Sequence, residues 1–117
     1  MSLPRFDQVA TVVDWLDACR GRRIDDLMSL YGRSATLECA CENATLAGRE
    51  ALEAYWRPKL ADPAAMAFEL DAVYPHDNGV SLDYRSHQGK SLRIHFRFDE
   101  AGKIIHTRCS PLASSAC

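Results

Sequence analysis

The stretch that decides the fold is Leu92–Cys109, LRIHFRFDEAGKIIHTRC. Leu92, Ile94, Phe96 and Phe98 alternate with Arg93, His95 and Arg97. A period of two puts the first set on one face of a strand and the second on the other, the mark of a half-buried strand. Asp99-Glu100-Ala101-Gly102 breaks the alternation, with Gly102 free to take the positive φ such a turn needs. A second strand is predicted over Lys103–Cys109. The result is a β-hairpin with one apolar and one basic face. An isolated hairpin is marginal in water, so another part of the chain must cover the apolar side.

Working outward, the residues before this hairpin supply the cover. Spacing predicts a helix over Phe6–Arg20, with Phe6, Val9, Val13 and Leu16 in one stripe beside Val12 and Trp15. Asp7 near its start and Arg20 near its end suit the helix dipole, and Gly21 is a natural stop. A short helix is predicted over Ile24–Tyr31, ended by Gly32. Ala35–Cys41 reads as a strand with Leu37, Cys39 and Cys41 on one face. Leu46–Gly48 is expected to add a short strand, and Gly48–Leu60 a third helix that Pro58 should kink or end. Met66–Tyr74 follows as a long strand with Met66, Phe68, Leu70, Ala72 and Tyr74 in phase. Pro75–Gly79 is a turn cluster, and Val80–His87 is the next strand. The order is helix, helix, strand, helix and four strands of antiparallel meander. That is an α+β class, with helices on one face of a curved sheet.

Composition sets the outer bounds. The chain has 117 residues, 47% hydrophobic and 26% charged, with a formal net charge of −2. One domain over residues 1–117 is expected, with Pro111–Cys117 a loose tail. The near-neutral balance gives no field that favours nucleic acid or an acidic membrane. MSLPRFDQ lacks signal-peptide form, no apolar run is long enough to span a bilayer, and five irregularly spaced cysteines suit reduced thiols. A cytoplasmic location is the expectation.

The order of elements, FRFDEAGKIIHTR near the end and LMSLYGRSATLE after the first helix together resemble the nuclear-transport-factor-2-like superfamily. Within it the chain is similar to ketosteroid isomerase and the SnoaL-like polyketide cyclases, over roughly Phe6–Cys109. The resemblance implies a cone of cystatin-like topology: three helices close over a strongly bent antiparallel sheet and leave a deep apolar pocket. It also implies pairing of two copies through the outer sheet face. The isomerase's general base would fall on Cys39, and its two oxyanion-hole groups on Trp15 and Ile94. An isomerase needs a carboxylate to move a proton and acidic donors to hold an enolate. Ile94 cannot donate and Trp15 is a weak acid, so the resemblance carries the fold without that chemistry.

The candidate pocket set is Trp15, Tyr31, Cys39, Cys41, Tyr55, Trp56, Phe68, Tyr84, Ile94 and Thr107. Aromatic residues on inner faces either line a ligand site or fill a core. The cysteines, with Cys109 on the last strand, either offer thiol chemistry or act as small hydrophobes. Glu38, Glu69, Asp71 and Asp83 fall out of phase and should face outward, with Asp83 opposite Arg93. Asp14 flanks the first helix stripe, near the pocket mouth. His76 and His87 are expected at solvated turns, and His95 and His106 opposite one another on the outer face. No metal-ligand spacing, phosphate-binding glycine loop or catalytic Ser-His-Asp set stands out. The expectation is a SnoaL-like protein that binds or acts on a small, mostly apolar molecule without metal or cofactor. Any chemistry would be of isomerase, cyclase or hydratase type. Its rivals are a ligand carrier without turnover and a dimeric interaction module.

Overall fold

The computed structural model describes residues 7–40 and 43–112. Helix α1, Gln8–Arg20, begins at Asp7, whose side chain accepts from the Ala10 N–H at 3.1 Å. It ends at Gly21, whose N–H donates to the Asp17 carbonyl at 2.8 Å. Its buried stripe is Val12, Trp15, Leu16 and Cys19, one face at helical spacing. Val13, expected on that stripe, lies at its edge and is 37% exposed. Phe6 lies outside the described residues.

Helix α2, Ile24–Ser29, is shorter than its spacing implied. Tyr31 and Gly32 already belong to strand β1, Tyr31–Cys39, so Gly32 is not a helix stop. Tyr31 holds its helical spacing from Met28, yet the Leu30 carbonyl accepts from the Ile104 N–H at 2.9 Å, which hands the chain to the sheet. Strand β2 is Ala44–Ala47 and helix α3 is Arg49–Ala61. Pro58 does not end α3 early, since the helix runs on to Ala61. Trp56 and Leu60, both buried, hold its last turn against the core, and packing of an apolar face outweighs one lost backbone bond.

Four strands complete the chain: β3 Leu70–His76, β4 Gly79–Arg85, β5 Ser91–Phe98 and β6 Ile104–Pro111. The sheet has six strands in the order β2-β1-β6-β5-β4-β3. It is a bent α+β cone, with the three helices of the described residues against one face. The sheet is not wholly antiparallel, because β1 runs parallel to β6. The long crossover through β2, α3 and the meander makes that pairing possible.

The quoted hairpin forms as its alternation predicts. Leu92, Ile94 and Phe96 are buried, Phe98 is half-buried, and Gly102 sits at φ +88°. The strand expected over Met66–Tyr74 is the largest departure. Met66–Glu69 stays outside β3, and Phe68 has φ +62°. That positive φ turns the Phe68 ring inward, and a bulge between Leu70 and Ala72 then resets the alternation. Val73 thereby aligns with Leu82 and Ile94, while Met66, Leu70 and Tyr74 are 42–49% exposed. The rare Phe68 backbone is fixed on three sides: its N–H donates to the Arg85 carbonyl at 2.7 Å, Arg85 N–H donates to the Glu69 carbonyl at 3.0 Å, and Arg20 Nη2 donates to the Phe68 carbonyl at 2.9 Å.

On the convex face Arg93 donates twice to Asp83, at 2.6 and 2.9 Å, as expected. His95 and His106 are not opposite each other. The register pairs His95 with Arg108 and Arg97 with His106. Ser81 Oγ bridges His76 Nε2 at 2.9 Å and His95 Nδ1 at 3.0 Å, and His106 contacts Glu38 at 3.0 Å.

Candidate ligand cavity

Inward residues of four strands, β1, β4, β5 and β6, and of α3 enclose a cavity of about 250 Å3. Its sheet wall comes from cross-strand neighbours. Cys39 aligns with Cys109 and Cys109 with Ile94; Leu37 aligns with Thr107. Tyr84 and Leu92 extend the same face by one more pair. The facing wall is Tyr55, Trp56 and Lys59 of α3, which helical spacing places together, with Phe68 between the two walls. The loop from Ser86 to Lys90 closes one end.

Seven of the sequence-derived candidates stand on this lining: Cys39, Tyr55, Trp56, Phe68, Tyr84, Ile94 and Thr107. Trp15 and Tyr31 stand behind it. Trp15 Nε1 donates to the Tyr31 hydroxyl at 3.0 Å, with both side chains fully buried. The Trp15 ring meets Trp56, Tyr84 and Phe96 edge-on at centroid distances of 5.5, 5.4 and 5.1 Å. Trp15 therefore positions the wall without forming it. Cys41 lies outside the described residues.

The buried phenols of Tyr31 and Tyr84 and the Cys19 thiol stay neutral. Burial pushes the Tyr31 phenol well above its usual range, partly offset by the Trp15 hydrogen bond. Burial raises Tyr84 likewise, with Cys109, Cys19 and Tyr55 adding to the effect. Burial also raises the Cys19 thiol, which leaves it a small hydrophobe. The Tyr84 hydroxyl lies 4.0 Å from Cys109 Sγ. Trp56 Nε1 and Thr107 Oγ1 are buried without a hydrogen-bond partner. The Trp56 indole adjoins the Tyr31 hydroxyl, but the geometry falls short of a hydrogen bond.

Among the described residues, no Asp or Glu is on the lining. Asp14 is exposed on α1 and away from the cavity, and Asp83 and Glu38 are paired on the convex face. Cys39, where the resemblance would put the isomerase base, carries a thiol, and Ile94 offers only hydrocarbon. The site therefore has apolar walls, weak neutral donors, the side chains of Lys59, His87 and Lys90 and, among the described residues, no carboxylate to abstract a proton.

A protein-family model described as a SnoaL-like domain matches residues 12–107. The chain belongs to the SnoaL-like domain family. Among solved structures, a SnoaL-like protein of unknown function from Burkholderia thailandensis superposes with a TM-score of 0.82 at 20% identity, covering 94% of this chain and 100% of its own. A protein with a ketosteroid isomerase-like fold from Catenulispora acidiphila, solved with trimethylamine, gives 0.70 at 17% identity, over 92% and 90% of the two chains. A steroid delta-isomerase from Pseudomonas aeruginosa gives 0.65 at 19% identity, over 95% and 85%. Among curated proteins, none matches significantly.

Membership of the SnoaL-like family explains the cone, and the lining is this chain's own. Leu37, Leu92 and Cys109 each stand two residues from a predicted wall residue on the same strand. Strand alternation alone therefore points to them. Lys59 follows from its spacing of four and three after Tyr55 and Trp56. Ser86 likewise stands two residues from Tyr84 on the strand predicted over Val80–His87, whereas Gln88 and Lys90 had no such signal, since a turn has no period. His87, expected in solvent at that turn, is half-buried on the lining.

Proposed function

We propose that this SnoaL-like protein holds one small, mostly apolar molecule in the cavity between α3 and the sheet. The observation that carries the proposal is the cavity itself. Protein interiors are close-packed, and an opening of this size between aromatic walls is exceptional. A small-molecule complex and a steroid isomerase on the same fold support the reading, though such likeness speaks to fold first. A single domain over residues 1–117 and a cytoplasmic location belong to the same proposal. The test is native mass spectrometry of protein purified without denaturation, beside an Ile94→Phe variant that fills the void. A retained small molecule that the variant loses is the expected result. Equal retention by both would place the molecule elsewhere.

A catalytic form of the proposal, of isomerase, cyclase or hydratase type, gives the proton-moving role to His87, since imidazole suits acid–base work. Its mark is turnover that His87→Ala abolishes while binding persists. We also propose that two copies pair through the convex face, where Tyr74 is exposed beside the Asp83–Arg93 pair. Arg93→Glu should then shift sedimentation toward monomer, and an unchanged profile would move the contact off this face.

A further inference from the structure

We propose that the molecule in the cavity carries a neutral carbonyl oxygen at its inner end, which accepts from the Thr107 hydroxyl and the Trp56 indole N–H. This rests on the ligand-binding reading above and narrows its substrate class. The two residues stand on opposite walls of the lining and are at most 4% exposed. Among the described residues, neither Thr107 Oγ1 nor Trp56 Nε1 has a hydrogen-bond partner. Buried polar atoms nearly always find one, and a buried donor left unpaired costs more than a made bond gains. The register explains why Thr107 finds none: its partners across the sheet are Leu37 of β1 and Phe96 of β5, both hydrocarbon. The Tyr31 hydroxyl that adjoins Trp56 already accepts from Trp15 Nε1 at 3.0 Å.

The two groups belong to the same end of the cavity. The Trp15 ring meets Trp56 at 5.5 Å and Phe96 at 5.1 Å, and Phe96 is the β5 partner of Thr107. That rung lies about 13 Å along β5 from Leu92, at the usual strand rise, and so away from the Ser86–Lys90 turn. An indole N–H only donates, and a threonine hydroxyl can donate as well as accept. The group that answers both is therefore an acceptor. A carbonyl oxygen offers two lone pairs and brings no donor that needs a partner of its own. A charged oxygen among Leu37, Phe96 and Trp15 would lose more hydration than two neutral donors return. A trapped water would answer the same two groups, and the experiment separates it from a guest.

The experiment uses two probes of one shape, acetophenone and α-methylstyrene, which differ only in C=O against C=CH2. Each is titrated into the intact 15N-labelled protein and followed by NMR, with the Trp56 indole signal assigned by its loss in Trp56→Phe. The expected result in Thr107→Val is a ketone affinity lower by about three- to tenfold, the worth of one hydrogen bond, against a change of less than about twofold for the alkene. Thr107→Ser keeps the hydroxyl and should keep the wild-type difference between the probes. In the wild type the Trp56 indole proton should move further downfield with the ketone than with the alkene. Equal changes for the two probes in Thr107→Val, or an indole proton that answers both probes alike, would overturn the carbonyl, leave those donors to a trapped water and keep the cavity reading standing. Binding of neither probe by the wild type would overturn both.

Discussion

The two faces of strands β4, β5 and β6 follow the same alternation to opposite ends. On the convex face polar groups find each other: Asp83 with Arg93, Ser81 with two histidines, His106 with Glu38. On the concave face the buried Trp56 Nε1 and Thr107 Oγ1 lack hydrogen-bond partners, and space remains beside them. Paired charges on an exposed sheet satisfy their own needs and add little stability. Unpaired neutral donors beside a void are the arrangement a guest completes. The concave side also divides. Under α1 it is filled by Trp15, Leu27 and Tyr31; under α3 it is hollow.

The largest effect should come from the filled end. Trp15 is fully buried, donates to Tyr31 and meets three other rings edge-on. Trp15→Ala should cost about 3–5 kcal/mol, the usual range for deleting a large buried aromatic. Urea unfolding followed by far-UV circular dichroism measures it. A loss below about 1 kcal/mol would mean that the cone does not depend on this residue and that the filled end is looser than its geometry.

A matched pair of leucines sharpens the contrast between the two ends. Leu27 is fully buried in packed core, whereas Leu92 borders the cavity. A wall atom facing a void has fewer neighbours to lose. Leu27→Ala should therefore cost about 1 kcal/mol more than Leu92→Ala, within the spread seen for buried leucines. Equal losses in the same urea experiment would say that the space beside Leu92 is closed in solution.

The faces were legible from sequence wherever a period held. Leu92, Ile94 and Phe96 in β5, and Val80, Leu82 and Tyr84 in β4, alternate without interruption and point where the pattern sends them. The reading failed at Phe68, because a positive φ and a bulge reset the phase within four residues, and single-letter alternation carries no record of backbone sign. It failed at Tyr31 because helix spacing and strand burial both suit a tyrosine there. The pocket wall was largely visible for the same periodic reason. Its rim was not: Ser86–Lys90 is a turn, and only the three-dimensional closure of that turn over α3 brings Lys90 and His87 to the place where Lys59 emerges.

The smallest predicted effect tests the convex face. His95 is held below the ordinary histidine value first by burial, then by His76, Arg97 and His106 nearby. The unfolded chain takes up a proton at this residue near pH 6.5, while the folded chain resists until a lower pH. Between the two values the unfolded state thus binds more protons, and stability falls as pH drops from about 6.5 through the folded value. Above pH 7 both states are neutral here and the residue contributes no pH dependence. His95→Gln keeps a hydrogen-bonding side chain toward Ser81 but cannot titrate. The loss in thermal midpoint between pH 7.5 and pH 5.5 should accordingly be smaller in the variant than in the wild type. An identical loss in both would assign the acid sensitivity to other groups. It would also weaken the contrast between the faces, because the setting of His95 would then make no difference to folding.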